Sequence, residues 1–258
     1  MHLEGKTAIV TGGGRGIGES IAMALAREGC SVAVTGRTAA TLEKVAADIQ
    51  KLGRDALAVV CDISDPASVA GLFQKVKEKW GHLDILVNNA GESQSELLVR
   101  LSFETWNRML AVNLTGTFLC SQQALQMMLP RKSGRIINIA STASKIAFRY
   151  AGAYSAAKHG VLGLTRAMAL ETATSGITVN AVCPGWVDTD MAQKAISTIS
   201  SKTKVSTEKA REYLAADCPQ KRIIQPEEVA FVTVWLACDE AKGITGQGIN
   251  IDGGQVMF

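Results

Sequence analysis

One feature at the start of this chain constrains its fold more than any other. An apolar run at 6–11 leads into a cluster of glycines, and a helical pattern then runs from 16 to 28. An apolar strand that ends in glycines and turns at once into a helix opens a β-α-β unit. The same rhythm then continues. Val/Ile/Ala-rich strands are expected at 31–35, 56–61, 83–87, 135–139, 177–182 and 248–251. Helical spacing fills the gaps at 38–52, 66–80, 102–112, 114–129, 153–174 and 226–238. Continuous apolar strands separated by helices mean a parallel sheet covered on both faces. With 47% hydrophobic residues the chain can bury such a sheet. No linker, repeat or low-complexity stretch divides it. The expected architecture is α/β: a single Rossmann-like, doubly wound parallel sheet of about seven strands, with 1–258 as one domain. The longest stretch outside the rhythm is the polar, helix-prone segment 186–224, expected to lie as a substrate lid over the C-terminal edge of the strands.

The glycine cluster reads Thr11-Gly12-Gly13-Gly14-Arg15-Gly16-Ile17-Gly18. Glycines there let the backbone approach a pyrophosphate, and the helix N-terminus aims free N–H groups at it. A structural tight turn is the alternative. The end of the second strand bears on which dinucleotide fits. An acidic residue there usually holds a ribose 2′-OH. Here the run is Thr35-Gly36-Arg37, with no carboxylate. Arg37 is placed to pair with a 2′-phosphate, and Arg15 is a second candidate for the same group. NADP(H) is therefore expected over NAD(H), unless both arginines are simply solvated.

Of the three tyrosines, at 150, 154 and 213, Tyr154 alone has a lysine four residues on. In a helix this puts Lys158 on the same face, one turn away. The ammonium is expected to lower the phenol's pKa and make a usable acid and base near neutral pH. Tyr-x-x-x-Lys arises often by chance, so the neighbours matter. Ser141 closes the fifth strand at the ligand edge and can hold a substrate oxygen beside Tyr154, although a cap or turn role also suits a serine. Asn113 sits between two helical runs, where it can kink the chain and open a backbone carbonyl to a water, or merely mark a junction.

Other chemistries fare worse. The histidines at 2, 82 and 159 have no metal-ligand spacing, and no Gly-x-Ser-x-Gly elbow is present. A formal charge of +3 from scattered residues does not suit nucleic acid. No apolar run approaches the ~20 residues of a membrane span, and the N-terminal run has no signal-peptide pattern. The six cysteines form no C-x-x-C pair, which fits reduced thiols in a cytoplasmic protein.

Taken together, the chain resembles the classical short-chain dehydrogenases/reductases. The resemblance rests on residues 11–18, Cys61-Asp62, Asn88-Asn89-Ala90-Gly91, Asn113, Ser141, Tyr154 with Lys158, Pro184-Gly185 and the terminal Asp252-Gly253-Gly254. It implies that Asp62 and Ile63 meet the adenine and that Asn89, Ala90 and Gly91 line the cofactor. It further implies that Ser141 orients the substrate oxygen and that Tyr154 exchanges the proton. Lys158 would bind the nicotinamide ribose, with Asn113 holding a water that links it to solvent. Pro184, Gly185, Val187 and Thr189 would shape the nicotinamide pocket, with Gly12, Gly14, Gly16, Ile17 and Gly18 at the phosphates.

Within the family the chain looks like 3-oxoacyl thioester reductases and aromatic polyketide ketoreductases, and the run from Cys183 to Val187 also resembles 3-hydroxybutyrate dehydrogenases. One position departs. Ser175 stands where fatty-acid 3-oxoacyl reductases carry an arginine that docks the acyl carrier protein, leaving Arg131 and Lys132 as one basic patch. Carrier docking is therefore in question, and a coenzyme A thioester or a free ketone stays open. The alternatives are a dehydrogenase for a free secondary alcohol or ketone, such as a 3-hydroxy acid or alicyclic alcohol, and a non-catalytic nucleotide-sensing scaffold. A free-acid pocket would need a buried cation, for which the segment 186–224 offers Lys194, Lys202, Lys204 and Lys209. By the resemblance a homotetramer is expected, with apolar helix faces around 102–129 and 153–174 and the tail Val256-Met257-Phe258 at its contacts.

Overall fold

Each strand of the computed structural model, which describes residues 2–258, sits between two helical layers, and this explains its composition. β1 (Thr7–Thr11) and β4 (Ile85–Asn88) are buried at every position, as are β5 (Gly134–Ile139) and β6 (Ile177–Pro184). A strand buried on both faces cannot alternate polar and apolar residues. With β2 (Ser31–Gly36), β3 (Ala56–Val60) and β7 (Gly248–Ile251) they form one seven-stranded sheet in the order β3-β2-β1-β4-β5-β6-β7. Every pairing is parallel.

One face is covered by α1 (Gly16–Arg27), α2 (Ala39–Lys51) and α9 (Pro226–Ala237), through Ile21, Leu25, Leu42, Val45, Ile49, Val229 and Leu236. The other is covered by α3 (Pro66–Trp80), α5 (Gly116–Met128) and α6 (Gly152–Thr172), through Leu72, Phe73, Val76, Cys120, Met128 and Met168. The strand order reverses between β1 and β4, and a crevice opens at the C-terminal ends of the strands there.

Element ends match the sequence expectation to within one or two residues, with two informative exceptions. The runs expected at 102–112 and 114–129 are not separate helices. α4 (Phe103–Leu110) passes through a π-helical turn at Ala111–Thr115 directly into α5. β6 runs on to Pro184, beyond the expected end at Val182, because Cys183 and Pro184 pair with Asn250 and Ile251 of β7.

After β6 the chain forms a helical hairpin, α7 (Asp190–Thr203) and α8 (Thr207–Ala216). Its inner side makes a small cluster of its own from Ile196, Ala210, Leu214 and Ile223, with Trp186 packed against it. The hairpin's base is tied by backbone bonds from Asp188 N to Ile224 O (2.9 Å) and from Ile224 N to Trp186 O (2.9 Å), and by an ion pair between Arg211 and Asp188.

Candidate active site

A cleft of about 850 Å³ opens at the switch point, and every residue singled out above as a site residue lines it. Its near end is the glycine loop. Gly12 has φ of +63°, a backbone state that side chains disfavour. A Cβ on Gly18 would lie 2.2 Å from the Gly12 carbonyl oxygen, so α1 can start this close to the loop only with glycine there. Arg15 at the N-cap of α1 supplies no side-chain acceptor, which leaves the first N–H groups of the helix facing the cleft. That is the arrangement a pyrophosphate requires, so the loop fits a dinucleotide.

The loop is held by a residue the sequence reading passed over. Thr11 Oγ1 accepts from the backbone N–H of Asn89 (2.9 Å) and of Ala90 (3.0 Å). Asn89 Nδ2 in turn donates to the carbonyls of Thr11 (2.9 Å) and Gly12 (3.2 Å). The Asn89 side chain therefore fixes the cradle from below. Asp62 also lines the cleft, and hydrogen bonds from Ser64 hold its carboxyl below the usual range. Arg37 is exposed at the end of β2, with no hydrogen bond or ion pair among the described residues.

The far end contains Ser141, Tyr154, Lys158 and Asn113 together. Ser141 takes the cap role. Its Oγ caps a short 3₁₀ turn by accepting from Ala143 N (3.1 Å), and the hydroxyl lies near enough to Tyr154 to favour its phenolate. Lys158 is 5% exposed, donates to the Ile139 carbonyl (2.8 Å) and stands 5.7 Å from the centre of the Tyr154 ring. Burial pulls its ammonium down to about 8.

The expectation that Lys158 lowers the Tyr154 phenol is corrected here. Burial pushes Tyr154 up, and the neighbouring Ser141 hydroxyl pulls back only part of the way. The physical reason is that loss of water penalises phenolate and ammonium alike, and the lysine spends a donor on a carbonyl.

Asn113 is fully buried in the π-turn. Its Nδ2 donates to Met109 O and Glu92 O (3.0 Å each), and its Oδ1 accepts from Glu92 N (3.2 Å). The asparagine thus ties the turn to the loop after Gly91. Its own carbonyl accepts from Thr117 Oγ1 (3.1 Å). A buried chain in the wall behind, from Ser121 through Asn88 and Asn138 to Thr165, was also not anticipated. Polar residues inside strands that otherwise read as apolar were its signal in the sequence.

One further group at this end was missed. One wall is formed by loops 92–97 and 146–151, which meet through Glu96 N to Tyr150 O (2.8 Å). Tyr150 sits there at φ +65°. The roof comes from Trp186, Met191, Lys194 and Leu214. The basic patch expected at Arg131 and Lys132 is reduced, because Arg131 is paired with Asp84 at 3.1 Å.

Residues 6–200 match the family model of short chain dehydrogenases. The chain belongs to the short-chain dehydrogenase family. It is an oxidoreductase of carbonyl and alcohol groups. A 3-oxoacyl-[acyl-carrier-protein] reductase of Synechocystis sp. is 40% identical over 258 residues, covering 99% of both chains. An uncharacterised oxidoreductase of Bacillus subtilis, YxjF, is also 40% identical, covering 96% of this chain and 97% of its own. Among solved structures, a variant of actinorhodin polyketide ketoreductase with NADPH superposes with a TM-score of 0.95, at 40% identity over 98% of each chain. Among the described residues of this dehydrogenase, no helix is long and apolar enough to cross a membrane.

Proposed function

We propose that this dehydrogenase is an NADP(H)-dependent reductase of 3-oxoacyl thioesters or related β-keto compounds. The observation that carries the reading is the gathering of Ser141, Tyr154 and buried Lys158, with Lys158 Nζ 5.7 Å from the Tyr154 ring centre, at the far end of a cleft whose near end is the glycine cradle. Gly12, Gly14, Gly16, Ile17 and Gly18 would hold the pyrophosphate, Asp62 and Ile63 the adenine, and Arg37 and Arg15 the 2′-phosphate. Ala90, Gly91, Pro184, Gly185, Val187 and Thr189 would flank the nicotinamide half. Bound there, the cofactor supplies the hydride.

The side chains supply geometry and a proton. Ser141 would hold the substrate oxygen and Tyr154 would donate its proton. With its phenol pushed up, Tyr154 is protonated at neutral pH and ready to act as an acid. Lys158, with Asn113 behind it holding a water, would return that proton from solvent. A relative that reduces 3-oxoacyl chains and a neighbour that is a polyketide ketoreductase support the substrate class.

The roof argues against a free 3-hydroxy acid. A short acid needs a buried cation near the reacting carbon, but Lys194, Lys202, Lys204 and Lys209 are all exposed, and Lys209 is paired with Glu212. Arg131, occupied by Asp84, and Ser175 favour a coenzyme A thioester over a docked carrier protein. The segment 186–224 is read as the substrate lid of a single domain.

Exposed Phe103, Phe118 and Leu170, with Phe231 and Trp235 on α9 and the tail residues Met257 and Phe258, suit the contacts of a homotetramer in the cytoplasm. Light scattering at micromolar concentration tests the assembly. Oxidation of NADPH and NADH with acetoacetyl-coenzyme A tests the activity. Turnover of simple ketones without turnover of the thioester would replace this reading with that of a carbonyl reductase.

A further inference from the structure

The two arginines read as 2′-phosphate ligands stand in different situations. Arg37 makes no ion pair among the described residues. Arg15 is already engaged: its Nη1 lies 3.0 Å from Oδ2 of Asp190. That pair crosses from the glycine loop to the first residue of α7. The two walls also touch beneath it, since a Cβ on Gly16 would meet Thr189 Cγ2 at 3.2 Å. Both partners line the cleft, and their side chains are 72% and 66% exposed, so either can turn without disturbing the core.

We propose that Asp190 is a cofactor-specificity residue, which competes with the 2′-phosphate for Arg15. This rests on the reading that Arg15 faces that phosphate. A guanidinium holding Asp190 across the cleft is not free to hold an adenosine phosphate, so binding of the phosphorylated cofactor must exchange one anion for the other. The unphosphorylated cofactor requires no such exchange. Asp190 therefore narrows the preference for NADP over NAD. It also couples that choice to the roof, because the exchange releases α7 from the glycine loop.

The test is equilibrium binding by calorimetry on the full chain, with NADP⁺, NAD⁺ and the fragment 2′,5′-ADP, using the native protein, Asp190→Asn, Arg15→Gln and the double variant. Asparagine keeps a polar side chain in the first turn of α7 and removes only the charge. For a pair this exposed, Asp190→Asn is expected to tighten NADP⁺ and 2′,5′-ADP by about two- to fivefold and to leave NAD⁺ unchanged. In the Arg15→Gln background the same substitution is expected to do nothing. Equal tightening of NADP⁺ and NAD⁺, no tightening of NADP⁺, or an effect that persists without Arg15 would each overturn the competition. If Arg15→Gln leaves the ratio of NADP⁺ to NAD⁺ affinity unchanged, the failure lies in the assignment of Arg15 to the 2′-phosphate, and the proposal falls with it.

Discussion

The floor and the roof of the cleft are built by opposite means. Lys158 and Asn113 on the floor are almost wholly buried, and both spend donors on backbone carbonyls of neighbouring segments. The roof hairpin α7–α8 is largely exposed, buries only Ala192, Ile196, Ala210 and Leu214 within its two helices, and is tied down by surface ion pairs. A floor made this way moves only if the sheet edge moves with it. A roof with so few buried contacts opens at low cost. On the proposed reading, the chemistry would reside where the fold is stiff, and substrate choice where it is loose.

The largest effect expected from this contrast is at Tyr154. Tyr154→Phe removes the proton donor without changing the packing and is expected to lower turnover by about 10²- to 10⁴-fold, with cofactor affinity kept. Steady-state rates beside a binding titration check it, and an unchanged rate would revive the non-catalytic scaffold. Next comes Arg37→Asp at the cleft rim. Replacing a charge-assisted partner with a carboxylate should weaken NADP⁺ on the order of tenfold to a hundredfold and leave the melting temperature unchanged.

Asn113→Ala probes the floor as structure. It strips partners from the Glu92 N–H and from the carbonyls of Glu92 and Met109, at a cost of about 1–3 kcal/mol, read as a lower melting temperature. An equally large loss from Leu214→Ala in the roof would erase the distinction between the two regions.

The smallest effect expected is acid loosening of the roof. Arg211 holds the Asp188 carboxyl below its ordinary value. The stability from that pair is present above the unfolded carboxylate range and is lost as pH falls through the lowered value. For a half-exposed pair it is worth about a few tenths of a kcal/mol. Hydrogen exchange should show residues 186–224 opening in acid before the sheet does; simultaneous opening would contradict the contrast.

Much of the floor was legible because its signals are local. Glycines between a strand and a helix, four-residue spacing of Tyr154 and Lys158, and a serine at a strand end each occupy a short window of sequence. That the sheet is parallel and covered on both faces followed from unbroken apolar strands. The π-turn was read as two helices because Asn113 looks like a break when its distant partner is unseen. That partner, the backbone of Glu92, lies 21 residues away. The segment 186–224 was read as a polar, helix-prone lid but not resolved into the hairpin α7–α8, since its small cluster is completed by Trp186 and Ile223 from outside both helices.

The amino-acid order alone determined the parallel sheet, the glycine loop and the candidates for proton handling, because each follows from backbone freedom, periodicity or side-chain chemistry over a few positions. Tertiary structure decided how those residues behave. Only the closed fold desolvates Tyr154 enough to push its phenol up while it draws Lys158 down to about 8. Only the closed fold brings Arg15 to Asp190, 175 residues on. Desolvation and long-range pairing depend on which atoms exclude water and which charges meet across the cleft, and neither is set until the sheet has formed.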